Sequence, residues 1–281
     1  MGSGRAGLLC SLPMLALLAV IFVAPLVVVL GFSIMPPKSF SLLQTPTLEN
    51  FAIIASQSYY KSLLWSLGLA VATVLILLVV CYPLAFAMAK LFGRFANVIT
   101  VLVVLSLFVS ENIRLFGWVL VLMKGGLLTG GLRAWFGIEM EGLLYNPPVI
   151  VLGLAYVYFP FMLFPMALGI AMVPDELRQA ATDLGASTWT VLREVDLPLA
   201  MPGILVGSML TFVLSAGAMA ESKLLGGQKV IVMADEIETA FTYGQNWPLG
   251  SALSVVLILL VSVIAVLALG RIDLDRILGK A

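Results

Sequence analysis

Histidine is absent from the 281 residues, and charge is scarce: Asp, Glu, Lys and Arg together make up 11% of the chain. Without an imidazole there is no His-based zinc site, catalytic triad or proton relay. The cysteines Cys10 and Cys81 lie in separate apolar runs, a setting that suits neither a metal knuckle nor a disulfide scaffold. Fifteen Lys and Arg balance fifteen Asp and Glu, so no basic excess exists to neutralise phosphates, and no nucleic-acid partner is expected. The Gly-x-x-x-x-Gly-Lys-[Ser/Thr] cradle for nucleotide phosphates is also missing. Gly226-Gly227-Gln228-Lys229 places a lysine after glycines but at the wrong spacing. No nucleophile–base set suggests an enzyme. The expectation is a chain with no catalytic residue, no metal site and no cofactor of its own.

What the sequence has in abundance is oil. Hydrophobic residues make up 62% of the chain and the mean hydropathy is +1.13, against about 45–50% apolar residues in a soluble domain. Charge-free runs cover 6–37, 62–89, 142–174, 197–220 and 239–270, and 95–123 is interrupted only by Glu111 and Arg114. About 20 apolar residues cross a bilayer as a helix. Trimmed accordingly, the runs predict six spans near 8–32, 63–88, 97–122, 149–172, 201–220 and 250–270. The first run exceeds a signal-peptide core of about 7–15 residues, so it reads as a retained span. Bulky Leu9 before Cys10 argues against a lipid anchor.

Six spans put both termini on one side. Arg5, Lys90, Arg94, Arg178, Arg193, Arg271, Arg276 and Lys280 fall on that side at roughly twice the Lys/Arg density of the other, which makes it cytoplasmic. The outer loops near 33–62, 123–148 and 221–249 carry the Pro, Gly and Asn turn signals. The expected organisation is an all-α membrane protein: a first helix with its outer loop (1–61), a core of five spans (62–270) and a cytoplasmic tail (271–281).

The sizeable inner loop, 174–198, reads as two short helices. Pro174 with Asp175 and Glu176 makes a helix start, Gly185 a left-handed stop, and Ser187 or Thr188 the cap of a second helix that ends before Pro198. Small residues Ala180, Ala181 and Ala186 would leave a surface on which another protein can dock; an ordinary amphipathic loop is the alternative.

Spacing favours the first reading. Gln179-Ala180-Ala181, then Gly185 after three residues, then Val195 and Leu197-Pro198, resembles the "EAA" loop of bacterial ABC-importer permeases, Glu-Ala-Ala-x3-Gly-x9-Ile-x-Leu-Pro. Gln179 stands for the Glu and Val195 for the Ile. Arg114-Leu115-Phe116-Gly117-Trp118, Leu224-Leu225-Gly226-Gly227 and Asn246-Trp247-Pro248-Leu249-Gly250 are similar to stretches of the polyamine-type branch. The resemblance implies a type I ABC-importer permease fold in the bacterial inner membrane. It implies an ABC ATPase dimer that uses ATP and Mg and engages Gln179, Ala180, Ala181, Asp183, Gly185, Ala186, Leu197 and Pro198. It implies a second permease subunit, with a heterodimer favoured, and a periplasmic solute-binding protein, all within membrane lipid. A polyamine-like solute is favoured, with an opine, amino-acid derivative, iron or phosphonate as alternatives. An ion-coupled carrier is the competing class; it would want mid-membrane helix breaks in matched repeats, which the sequence does not display.

Charges inside spans cost roughly 2.5–3.5 kcal/mol or more each, so they face a partner or a path. Glu111 and Arg114, three residues apart, share a helix face. They can form a mutual pair that lowers its own insertion cost, or line the path; the second is preferred, with Trp118 and Glu221 as further candidates. A snorkelling Glu221–Lys223 pair is the alternative for Glu221, and Trp118, Trp135 and Trp247 also suit an interfacial belt.

Overall fold

A backbone in hydrocarbon must bond to itself, and the apolar runs do so as helices. The computed structural model describes residues 3–138 and 141–270; the expected tail 271–281 lies outside the described residues. Every regular element among the described residues is helical. Six stretches are long and apolar enough to cross a membrane: Ser11–Ser33, Tyr59–Leu91, Glu111–Phe136, Pro147–Ala171, Thr188–Ala216 and Trp247–Ala268.

The chain divides into two compact units. One comprises residues 3–63 and 233–262. It holds α1 (Ser3–Leu18), a π-helical turn at Ala19–Val23, α2 (Ala24–Ser33), α3 (Glu49–Ser56) and the first residues of α4 (Tyr59–Phe86). The later α13 (Met233–Thr242) and most of α14 (Trp247–Leu269) complete it. Met233, Ala240, Leu249, Leu253 and Leu257 form its core. Asn50, fully buried, donates from Nδ2 to the carbonyls of Ser33 and Met35 (3.1 and 2.7 Å), satisfying the C-terminal end of α2. The Asn246-Trp247 stretch is structural here: Asn246 Oδ1 accepts from the Lys38 backbone N–H, and Phe32 and Phe40 meet the Trp247 ring edge-on.

The other unit, residues 64–232 with 263–270 among the described residues, contains the rest of α4 and a π-helical turn at Ala87–Leu91. Then come α5 (Arg94–Leu107), α6 (Glu111–Leu122), α7 (Leu127–Phe136) and α8 (Pro147–Ala171). α9 (Asp175–Asp183), α10 (Thr188–Val191), a π-helical turn at Leu192–Asp196, α11 (Leu197–Ala216) and α12 (Ala220–Gly226) follow. Leu77, Cys81, Met162, Leu163, Met166 and Ile170 lie in its core. α8 and α11 pack backbone to backbone: a Cβ on Gly169 would sit 2.8 Å from the Cα of Gly203, and one on Gly207 2.8 Å from the Met162 carbonyl oxygen. Small residues let membrane helices approach this closely.

Three expectations are corrected. The span at 97–122 is two helices, broken at residues 108–110, with Ser110 extended (φ −53°, ψ 137°) and Glu111 opening α6. The break precedes the third span, which runs over Glu111–Phe136 instead of 97–122, so that α7 occupies part of the expected outer loop 123–148. The fifth span is not 201–220: the helix starts at Thr188 and ends at Ala216. The helix after Ser187 does not end before Pro198, because the π-helical turn absorbs the proline. Leu197 N–H bonds back to the Leu192 carbonyl, five residues earlier, and the widened turn makes room for the Pro198 ring, which would otherwise meet the carbonyl four residues before it. The same device precedes Pro25, where Ala24 N–H reaches Ala19.

Candidate functional site

The 174–198 loop folds largely as its local chemistry dictates. Pro174, extended (φ −64°, ψ 133°), precedes α9, whose first turn carries Asp175 and Glu176 at the positive end of the helix dipole. Gly185 takes φ +85°, and its N–H bonds to the Thr182 carbonyl at 2.9 Å. Ser187 caps the next helix by accepting the Thr190 N–H at 3.2 Å. The face turned outward is unusually apolar for a loop: Leu184 is 90% exposed, Trp189 70% and Leu177 48%. Gln179, Ala180, Asp183 and Gly185 are exposed beside them, and Ala181 and Ala186 half-buried.

No residue of α9 is buried, so charge rather than a hydrophobic core holds it. Lys90 Nζ donates to Asp175 Oδ1 at 2.8 Å and to the Val173 carbonyl at 2.7 Å. That ammonium hydrogen bond and its charge hold the Asp175 carboxyl below the usual carboxylate range. Arg178 Nε lies 3.0 Å from Oδ1 of Asp196, an ion contact without hydrogen-bond alignment, and its guanidinium sits 5.1 Å from the centre of the Phe86 ring. A groove of about 450 Å³ opens here, lined by Lys90, Asp175, Arg178, Gln179, Thr182, Thr188 and Val191.

The second set of candidates gathers around α6. Glu111 and Arg114 make no ion pair with each other among the described residues; Arg114 lies over the Tyr156 ring of α8, 5.7 Å from its centre. Trp118 meets the same ring edge-on at 5.7 Å. Glu111 is offset instead by its place in the first turn of α6, where a carboxylate gains about 0.3–1 kcal/mol from the dipole. Glu221, in the first turn of α12, is fully buried, so it does not snorkel. Its methylene stem packs near Gly153 of α8, and neither carboxylate oxygen has a hydrogen-bond partner. Burial pushes its pKa up to about 7; its own backbone N–H and Arg114 act against the shift, and Glu111 adds to it. Beside this cluster an apolar cavity of about 750 Å³ runs between α4, α5, α6 and α8, with Trp118 and Tyr156 in its wall.

The spermidine/putrescine transport system permease protein PotB of Haemophilus influenzae is 32% identical over 78% of this chain and 77% of its own length. PotB of Escherichia coli K12 is 32% identical over 75% and 77%. The chain belongs to the permeases of ABC importers. The permease is also 29% identical over 79% of its length to the inner membrane ABC transporter permease protein YdcU of E. coli K12, covering 76% of that chain. A bacterial ABC transporter that imports the acidic polysaccharide alginate shares its fold, with TM-score 0.77, 17% identity, and 95% and 96% of the two chains covered. No family model matches the sequence. The permease is thus a multi-pass inner-membrane protein.

The structure brings Gln179, Ala180, Ala181, Asp183, Gly185 and Ala186 together on one exposed helix and turn. Leu197 and Pro198 stand apart from it, inside the helix of the fifth span. Glu111, Arg114 and Trp118 share α6, and the first two lie within electrostatic reach of Glu221 on α12. The glycines of Leu224-Leu225-Gly226-Gly227 serve packing: Gly227, at φ +55°, faces the Tyr145 ring, and Gly226 faces Ile150. Reading the sequence missed Lys90, Arg178, Asp196 and Tyr156. Asp196 carried a signal, being an acid directly before a long apolar run and so in need of a cation.

Proposed function

We propose that this permease carries a small cationic, amine-bearing solute of the polyamine class, delivered by a periplasmic binding protein and driven by an ABC ATPase dimer docked on loop 174–198. Both termini face the cytoplasm, and a second, non-identical permease completes the path. ATP and Mg are used by the ATPase; this chain contributes the path and the docking element. One observation carries the solute class. Glu221 presents two buried, unpartnered carboxylate oxygens, Glu111 lies within electrostatic reach and Arg114 opposes them as a single positive charge, held over Tyr156 without an ion pair to Glu111. Two acids beside a cavity with Trp118 and Tyr156 in its wall favour an ammonium group over an anion. The names of the PotB relatives agree. The docking role rests on the exposed Leu184 and Trp189 beside the Gly185 turn.

The test uses the whole transporter in proteoliposomes with its binding protein. Putrescine or spermidine is expected to stabilise the binding protein against heat and to stimulate ATP hydrolysis. Glu221→Gln assembles but loses most uptake. A binding protein that prefers an anion, or full uptake by Glu221→Gln, contradicts the cationic reading. Mass analysis that shows two identical permeases contradicts the heterodimer.

A further inference from the structure

α9 is joined to the rest of its unit by few contacts, and those contacts reach two different spans. At its start, Asp175 (side chain 64% exposed) bonds Lys90 (8%) at the end of the helix that begins with α4. One turn later, Arg178 meets Asp196, whose side chain is 2% exposed, on the helix that continues as α11. Both partners sit in π-helical turns, Ala87–Leu91 and Leu192–Asp196. A π turn holds one residue more than the α register needs, and such turns occur often at functional positions. With no buried residue on α9, a force applied to it leaves through the backbone and the adjoining α10, through these charged contacts, and through the Arg178–Phe86 ring contact.

We propose that Arg178 is a positioning residue for transport. Through Asp196 it passes displacement of α9 to the fifth span, while Asp175 and Lys90 form a second, weaker arm to the second span. This rests on the reading of loop 174–198 as the ATPase docking element. Rigidity favours the Arg178 arm, since Asp196 lies on one continuous helix from Thr188 to Ala216. Geometry favours a contact that changes between states. At 3.0 Å without alignment, a small rotation of α9 either completes a charge-assisted hydrogen bond or opens the pair. A contact that differs between two arrangements is what biases their equilibrium. The Phe86 ring under the guanidinium holds its plane, a role lysine fills less well.

The experiment measures solute moved per ATP hydrolysed by the complete transporter in proteoliposomes, together with retention of the ATPase. Arg178→Gln leaves a buried carboxylate unpaired and is expected to reduce the amount of complex. The double variant Arg178→Gln/Asp196→Asn removes both charges, and is expected to assemble and retain the ATPase while the ratio falls at least about tenfold. Arg178→Lys keeps the charge and recovers part of the ratio. Asp175→Asn, which leaves Lys90 its bond to Val173, lowers it only about two- to threefold. An assembled double variant with the wild-type ratio overturns the proposal while leaving the docking reading standing. If the wild-type loop does not hold the ATPase at all, both fall.

Discussion

The guanidinium of Arg114 lies over the Tyr156 ring, 5.7 Å from Cζ to the ring centre, and so ties α6 to α8. A cation–π contact of this kind is worth about 0.5–1 kcal/mol when exposed and about 2 kcal/mol when desolvated. It also leaves Glu111 without a salt bridge to Arg114 among the described residues. Tyr156→Phe keeps the ring and is expected to transport near the wild-type rate. Tyr156→Ala frees Arg114 to approach Glu111, and uptake drops several-fold with the complex intact. Equal uptake by the two variants in vesicles would remove Arg114–Tyr156 from the mechanism.

Glu221 is expected to make the permease sensitive to pH. Its folded pKa of about 7 exceeds the ordinary value of 4.5, so between these values the unfolded chain releases a proton that the folded chain keeps. Stability contributed by this group is therefore present below pH 4.5 and lost as pH rises to about 7, by about 3 kcal/mol in all. Glu221→Gln is expected to flatten that slope and raise the melting temperature of the complex at pH 8. A cationic solute binds the charged form, so solute-stimulated ATP hydrolysis rises from pH 6 to pH 8 in the wild type and not in the variant. Identical pH profiles for melting and hydrolysis would contradict both roles.

Gly185 faces open space, where an added Cβ meets nothing within 4 Å. Only its φ of +85° restricts substitution. Gly185→Asn is expected to be mild, since asparagine tolerates left-handed backbone, and Gly185→Val severe, because a β-branched residue does not. Membrane insertion persists in both, while ATPase retention falls in the valine variant. Binding of the ATPase by Gly185→Val at the wild-type level would show that the turn is not needed.

Gly203 is different, since its difficulty is space rather than backbone angle. A Cβ there would meet Gly169 Cα at 2.7 Å and the Pro165 carbonyl still closer. Backbone cannot swing aside as a side chain can, so Gly203→Val is expected to cost about 1–3 kcal/mol or more. The readout is the yield of folded permease in detergent, low for Gly203→Val and normal for a change at an exposed position such as Val206→Ala.

These differences show which features could be read from residues alone. The Gly185 stop and the Ser187 cap depend on neighbours within a few positions, and they stand where the spacing put them. Span lengths follow from hydropathy, so six were countable. The break before Glu111 was legible in part. Ser110-Glu111-Asn112 has the polar start of a helix, but no Gly or Pro marks the end of α5, and the apolar run hid it. Pro198 was misread because a proline signals a helix end unless a π turn precedes it, and that turn leaves no mark in composition. The Arg178–Asp196 and Arg114–Tyr156 contacts join positions far apart in the chain, and only packing decides such pairs.

The most direct test is a single cysteine at Leu184, which is 90% exposed, in the assembled transporter. Thiol reagents are expected to reach it from the cytoplasmic side only. A short bifunctional cross-linker is expected to join it to the ATPase, with a yield that changes when ATP and Mg are added. Labelling from the periplasmic side, or no cross-link in a complex that still contains the ATPase, would contradict the assignment of loop 174–198 as the element through which ATP drives this permease.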